Sequence, residues 1–338
     1  MKFHITRWIA DLVSSPRRSA LPIMTSPGIP LIKAAPLDVF RSGKLQAEAV
    51  IALAAETPHA AAVLTMMDLS VEAEAFGAPV KFSEEENPTV IGAVVEDVAD
   101  IGNLAIPQVG EARTSESPLA AKLCAERVTD RPTLGGLIGP FSLAGRLADM
   151  SKMMLWTTTE PSAVHALLEK ATAFIIDYAK VFKASGCNGL IMAEPAAGLI
   201  SPKMSQEFSA NYIKRVVDAV QDDTFVLVLH NCGKTEKMIS VMLSTGAVAL
   251  HVGNVVDICK ILPQVPANVP VMGNLDPVGF FRLGTPETMY EAATALLDRT
   301  AAFPNFVLSS GCDVPPGTPL ENVQAFFRAL EDWNADRR

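Results

Sequence analysis

His230, Asn231 and Cys232 form the strongest local chemical signal in the chain. Residues two apart in an extended segment project to the same side. An imidazole nitrogen and a thiolate sulfur spaced this way can converge on one ion, at the ~2.0 and ~2.3 Å that zinc prefers. Gly233 lets the backbone turn sharply straight afterwards. Cys312 stands at the end of a later apolar run, FVLSSGCD, and offers a third ligand. Three protein ligands with a fourth position open is the pattern of a catalytic zinc, whereas structural sites close with four. A His-x-Cys pair alone is a weak sign, because a lone cysteine is more often a small apolar filler. Cys124, Cys187 and Cys259 read as fillers of that kind, and His4, His59 and His165 as surface or capping residues.

The elements that must position these ligands can be read from the spacing of apolar runs. Eight runs stand out: Ala20–Thr25, Ala61–Met67, Pro132–Ile138, Gly189–Glu194, Phe225–His230, Ala247–His251, Val269–Asn274 and Phe306–Ser310. Helical patterns alternate with them at Asp38–Glu56, Pro161–Ser185, Pro202–Gln221, Thr235–Ser244, Val255–Ile261 and Pro286–Ala302. Strand and helix in strict alternation imply parallel strands joined by right-handed crossovers. Eight units favour a closed (β/α)₈ barrel, with an open doubly wound sheet as the alternative. Phe76–Glu111 breaks the rhythm with the extended stretch GAPVKFSEEENPTV, and reads as an insertion after strand two that covers the barrel mouth. No linker or repeat divides the rest, so residues 1–338 are expected to form a single domain.

Catalytic groups of a parallel barrel lie at the carboxyl ends of its strands. That rule selects Glu194, His230, His251, Asn274, Asp276, Ser310 and Cys312. Glu194 and Asp276 are candidates to accept a substrate proton or to orient His230. Capping of a neighbouring helix is an equally open role for both. His251, Asn274 and Ser310 are candidates for substrate contacts, though for His251 a satisfied core histidine is equally open.

Composition narrows the function. Apolar residues make up 49% of the 338 residues and charged residues 19%, enough to bury a large core in a barrel of this kind. The net charge of −9 is spread over the chain, and its densest cluster, Glu84–Glu86, reads as a solvated loop. No basic stripe suggests nucleic acid. No stretch approaches the roughly 20 apolar residues of a membrane span, and the charged N-terminus reads as a short amphipathic helix carrying Phe3, Trp8, Ile9, Leu12 and Val13 rather than a signal peptide. Five cysteines, an odd number without an export signal, suggest reduced thiols in the cytoplasm.

The segments LHNCGKTEKMI, GNLDPV, GTPETM and SSGCDVPPGTPLENVQAFF resemble the uroporphyrinogen decarboxylase superfamily, as does EPAAGLISPKMSQEF. Within it the chain is most similar to the zinc-dependent methylcobamide:coenzyme M methyltransferases, whose His-x-Cys pair and distant Cys carry over to His230, Cys232 and Cys312. Decarboxylases of the superfamily have an Arg-rich N-terminal motif (RQAGRY-like) for substrate carboxylates. Here LPIMTSPGIPLI stands in that place, with no arginine between Arg18 and Arg41.

The resemblance implies zinc, a methylated corrinoid (cobalamin) as co-substrate, and a small corrinoid protein as partner. No D-x-H-x-x-G motif of a fused carrier is present. The mouth must be open, or must open, to admit a corrinoid, with Val314–Pro319 and the insertion as candidate docking surfaces. A thiol such as coenzyme M would lose its proton and attack the corrinoid methyl carbon. The C–S bond forms as the C–Co bond breaks, and the electron pair leaves on Co(I). Two alternatives stay open, a metal-free decarboxylase and a zinc thiol transferase with another electrophile.

Overall fold

Val, Ile, Leu and Ala crowd the segments that pair into the main sheet, and nearly all of their residues are buried. Parallel strands covered on both faces read as such unbroken apolar runs. The computed structural model describes residues 3–84 and 86–337, so Glu85 of the acidic cluster lies outside the described residues. In chain order the strands are β1 (Val63–Leu64), β2 (Val80–Lys81), β3 (Thr89–Val90), β4 (Thr133–Ile138), β5 (Gly189–Ala193), β6 (Val226–Asn231), β7 (Ala249–Val252), β8 (Val271–Leu275) and β9 (Phe306–Ser310).

Seven of them form one curled parallel sheet in the order β1-β4-β5-β6-β7-β8-β9, so each strand neighbours the next sheet strand along the chain. The expected first strand, Ala20–Thr25, forms only isolated bridges at Ala20, one to Ala60 beside β1 and one to Leu308 in β9. Pro22 has no N–H to give a ladder. Around it, side chains supplement the few backbone bonds, such as Val314 N to Ile23 O at 2.8 Å. The Ser309 hydroxyl donates to Leu21 O at 2.7 Å, and Ile23 N donates to Ser310 Oγ at 3.0 Å. This segment therefore ties both edges of the seven-stranded sheet together.

Alternation along the strands sorts side chains into two layers. Ile191, Ala193, Val226, Val228, Ala249, Met272 and Val307 share an inner cluster with Leu21, Ile23 and Leu64. The helix Ile5–Ser14 closes its amino-terminal end with Ile5, Trp8 and Leu12, and Trp8 Nε1 donates to Ala61 O at 2.9 Å. The opposite parity, including Leu190, Met192, Leu227, Leu229 and Leu250, packs outwards on the helix layer.

The stretch between β1 and β4 holds a two-stranded antiparallel ribbon, with Val80 opposite Val90 and Lys81 opposite Thr89. Two expected helices are interrupted. Asp38–Glu56 divides at Ser42, which caps the helix Gly43–Glu56 by accepting from Leu45 N. Gly43 is required there, since a Cβ would lie 2.3 Å from Glu116 O. Pro202–Gln221 contains a π-helical turn at Gln206–Ala210 between the helices Pro202–Ser205 and Asn211–Val220. Among the described residues no helix is long and apolar enough to cross a membrane.

Candidate metal centre

His230 lies on β6 in parallel register with Ala193 on one side and His251 on the other, so it shares the inward parity of Val226 and Val228. Asn231 then anchors the strand end. Its Nδ2 donates to Glu194 O at 2.7 Å, and its Oδ1 accepts from Gly233 N at 2.8 Å. The second bond folds the chain into an Asx turn, and Cys232 is carried at its apex. Cys312 follows β9, and the ligand atoms of His230, Cys232 and Cys312 all lie within 4.8 Å of one another.

The three groups suit a soft metal ion. His230 Nε2 is buried and has no hydrogen-bond partner among the described residues, which is costly for an imidazole nitrogen unless something else binds it. Its Nδ1 faces His251 Nδ1 at 2.8 Å, with the rings edge to face and their centroids 4.6 Å apart. A hydrogen bond from Cys312 favours the Cys232 thiolate and holds its pKa well below the usual thiol range, with His230 adding to the effect. The same proton keeps Cys312 protonated in its turn, well above that range. Such a pair gives up its second proton readily only to a cation.

Asp313, beside Cys312, lies among donors. Its carboxylate accepts from Thr25 Oγ1 at 2.7 and 2.8 Å and from Asn87 Nδ2 at 3.1 Å. Asn87 belongs to the loop between β2 and β3, so that loop is fastened to the Cys312 turn. Burial is the main cause raising the Asp313 pKa to about 6.

The other predicted residues are placed as follows. Glu194 has the outward parity of Leu190 and Met192, and its carboxylate caps the helix Pro140–Ala148. It accepts from Phe141 N at 3.0 Å, Ser142 N at 2.6 Å and the Ser142 hydroxyl. Burial nevertheless pushes its pKa up to about 7. Asp276 accepts from Val278 N and Gly279 N at 2.9 and 3.0 Å, capping the turn Pro277–Arg282. Asn274 Nδ2 donates to Gly253 O and Val256 O, both at 2.8 Å. Ser310, outward like Leu308, holds Ile23 N. His251 is fully buried beside His230.

Sequence reasoning passed over Ser309, whose oxygen lies 2.8 Å from His251 Nε2. Alternation from the apolar Val307 was the available signal for its inward parity. Cys124 and Cys187 are buried, as fillers should be, while Cys259 is half-buried.

Gly253 forms the floor under Cys232, since a Cβ there would lie 2.4 Å from Cys232 O and 2.6 Å from its Cα. Backbone cannot yield to a contact that close, so Gly253→Ala must displace the ligand turn. Chelator competition should show metal affinity at least about tenfold lower, because ligand geometry sets affinity.

Relatives share this framework. A methylcobamide:CoM methyltransferase, MtbA, from Methanosarcina acetivorans is 32% identical over 277 residues, covering 80% of each chain. A uroporphyrinogen decarboxylase from Synechococcus is 28% identical over 280 residues, covering 79% of this chain and 77% of its own. Among solved structures, a methyltransferase from Methanosarcina mazei superposes with a TM-score of 0.87 over 98% of this chain and 99% of its own, at 23% identity. The family model for uroporphyrinogen decarboxylase (URO-D) matches residues 23–333. With nearly the whole sheet and all three ligand positions inside that match, the chain belongs to the uroporphyrinogen decarboxylase family.

Proposed function

We propose that this protein is a zinc-dependent methyltransferase that moves a methyl group from a methylated corrinoid to a thiol such as coenzyme M. The reading rests above all on the buried, unpartnered His230 Nε2 converging with the Cys232 and Cys312 thiols. The 32% identity to MtbA supplies the reaction class. One imidazole and two thiolates form a soft donor set, which selects zinc over hard cations. When bound, zinc supplies a Lewis acid with an exchangeable position, where a substrate thiol gives up its proton near neutral pH.

The chain's own residues do the rest. Asn231 and Gly253 fix the Cys232 turn, Asn274 ties the end of β8 to the loop after β7, and Ser310 holds the Ile23 segment. We assign to Asp276, half-buried and open on one side, the role of accepting the thiol proton in preference to Glu194, whose carboxylate is enclosed by the Phe141 and Ser142 donors. A single domain over 1–338 carries the site on a barrel whose seven-stranded sheet is completed by the Ala20 segment in the place of an eighth strand, with residues 76–111 as an insertion at the mouth. The expected donor is a small corrinoid protein in the cytoplasm. Leu199, Val255, Val278 and Leu283 support that partner, as exposed apolar residues on the loops following β5, β7 and β8.

The purified protein is expected to carry close to one zinc per chain. With methylcobalamin and coenzyme M it should convert the methyl-Co(III) spectrum towards Co(I), and chelation should stop it. Consumption of uroporphyrinogen with no effect of chelator would instead establish the decarboxylase reading, which the Synechococcus relative represents.

A further inference from the structure

The buried polar groups beyond His230 form a chain whose direction can be worked out from one end. Leu21 O is a backbone carbonyl and can only accept, so the Ser309 hydroxyl 2.7 Å away spends its single proton there. The same oxygen lies 2.8 Å from His251 Nε2, and having no proton left it must accept. His251 therefore carries hydrogen on Nε2. That ring is fully buried, and among the described residues its nitrogens meet only Ser309 Oγ and His230 Nδ1, with no carboxylate to balance a second proton, so it is held neutral. Its Nδ1 is then a bare lone pair, and the 2.8 Å contact with His230 Nδ1 needs a proton from the His230 side.

We propose that His251 and Ser309 are positioning residues that hold the His230 proton on Nδ1, so that the Nε2 lone pair is kept free for a metal ion. The inference rests on reading His230, Cys232 and Cys312 as an ion site. The opposite direction is excluded by physics, because a Ser309 proton turned towards His251 would strand the buried Leu21 carbonyl. The chain starts on the backbone of the very segment that ties the two sheet edges together. Metal-ligating histidines commonly donate their second N–H to a group that fixes the tautomer. Here the acceptor is a second histidine, polarised in its turn by a serine.

The test uses the protein with its ion, labelled with ¹⁵N-histidine, and ring-nitrogen NMR resolves the tautomers. His251 should be the pure Nε2–H form and His230 the pure Nδ1–H form. Ser309→Ala should turn His251 into a tautomer mixture and lower zinc affinity about tenfold in chelator competition, the scale of losing an outer-shell partner. His251→Gln keeps a carbonyl for His230 and an N–H for Ser309, so its zinc affinity should stay close to the unaltered protein's. A serine that merely packs would move neither the ring signals nor the Gln rescue.

Unchanged ring signals and unchanged zinc affinity in Ser309→Ala would overturn the proposal, as would the Nδ1–H form at His251 in a zinc-loaded protein. A protein that binds no zinc yet shows the two opposite tautomers would sink the zinc reading alone and leave the relay standing.

Discussion

Replacing Cys312 with serine should empty the metal centre and stop methyl transfer while leaving the fold in place. Cys312 is one of three candidate ligands gathered within 4.8 Å, and its hydrogen bond is the main support of the Cys232 thiolate. One substitution thus removes a ligand and raises the pKa of another. Metal affinity should fall by more than the roughly 100-fold that loss of an outer-shell partner can cost, and turnover should fall with it. The core does not depend on the ion, because the inner and outer clusters contain none of the three ligands. Metal analysis with thermal melting checks both halves. A full zinc complement in Cys312→Ser would remove the centre, and a collapsed melting curve would show that the ion holds the fold together.

The second large effect is expected far from the ion. Glu72, on the helix Val71–Ala75, accepts from Ile138 N at 3.0 Å through one oxygen, while the other is buried without a partner among the described residues. Its pKa is pushed up to about 7. Burial is the chief cause, opposed by the Ile138 amide, reinforced by Asp68 and opposed again by Arg146. The unfolded carboxyl titrates near 4.5. Between pH 4.5 and 7 the folded chain therefore holds the proton that the unfolded chain has lost, so stability falls as pH rises through that window. The loss amounts to ~3 kcal/mol and is complete above pH 7. Glu72→Gln keeps an acceptor for Ile138 and never ionises. It should melt with the unaltered protein at pH 5 and roughly 4 °C above it at pH 8. Equal melting points at both pH values would show that Glu72 is already solvated when charged. Glu194, also pushed up to about 7, should leave a residual slope of the same sign. Its amide variant should lose stability, because Phe141 N and both Ser142 donors all need an acceptor.

The strands most legible in the sequence are those buried on both faces. Phe306–Ser310 is matched residue for residue, and Gly189–Glu194 and Phe225–His230 to within one residue at each end. Such strands are long apolar runs bounded by Gly and Asn. The Ala20–Thr25 run is equally apolar, yet Pro22 and the serines of β9 pre-empt its backbone pairing, and that competition lies almost the whole chain length away. The three candidate metal ligands were legible because each stands at a strand end, His230 within the last two residues of β6, Cys232 just past it and Cys312 just past β9. What a strand end does not announce is which way its last side chain points. Glu194 and Ser310 continue the outward parity of Met192 and Leu308, so they serve helices and loops. Ser309, one residue earlier than Ser310, faces the histidines. Counting alternation from a known inner residue would have separated them, but which residues are inner depends on closure of the sheet.

The Ala20 segment also sets an order of events during synthesis. Leu21 leaves the ribosome first, His230 and Cys232 much later, and Ser309 and Cys312 near the end. The early segment has no partner at the far edge until β9 emerges, and contacts so distant in sequence close late because of their loop entropy. The nascent chain therefore passes through a long interval in which Cys232 is made but its companion thiol is not. Joining of the two sheet edges and completion of the ligand set are then a single step, since Ser309, Ser310 and Cys312 arrive on the same stretch of chain. An ion taken up before that step would be held by two ligands and readily lost. Loading of an ion at these three groups would thus be a final act of maturation, and whatever frays the Ala20 segment in the finished protein would loosen the grip on that ion along with the seam.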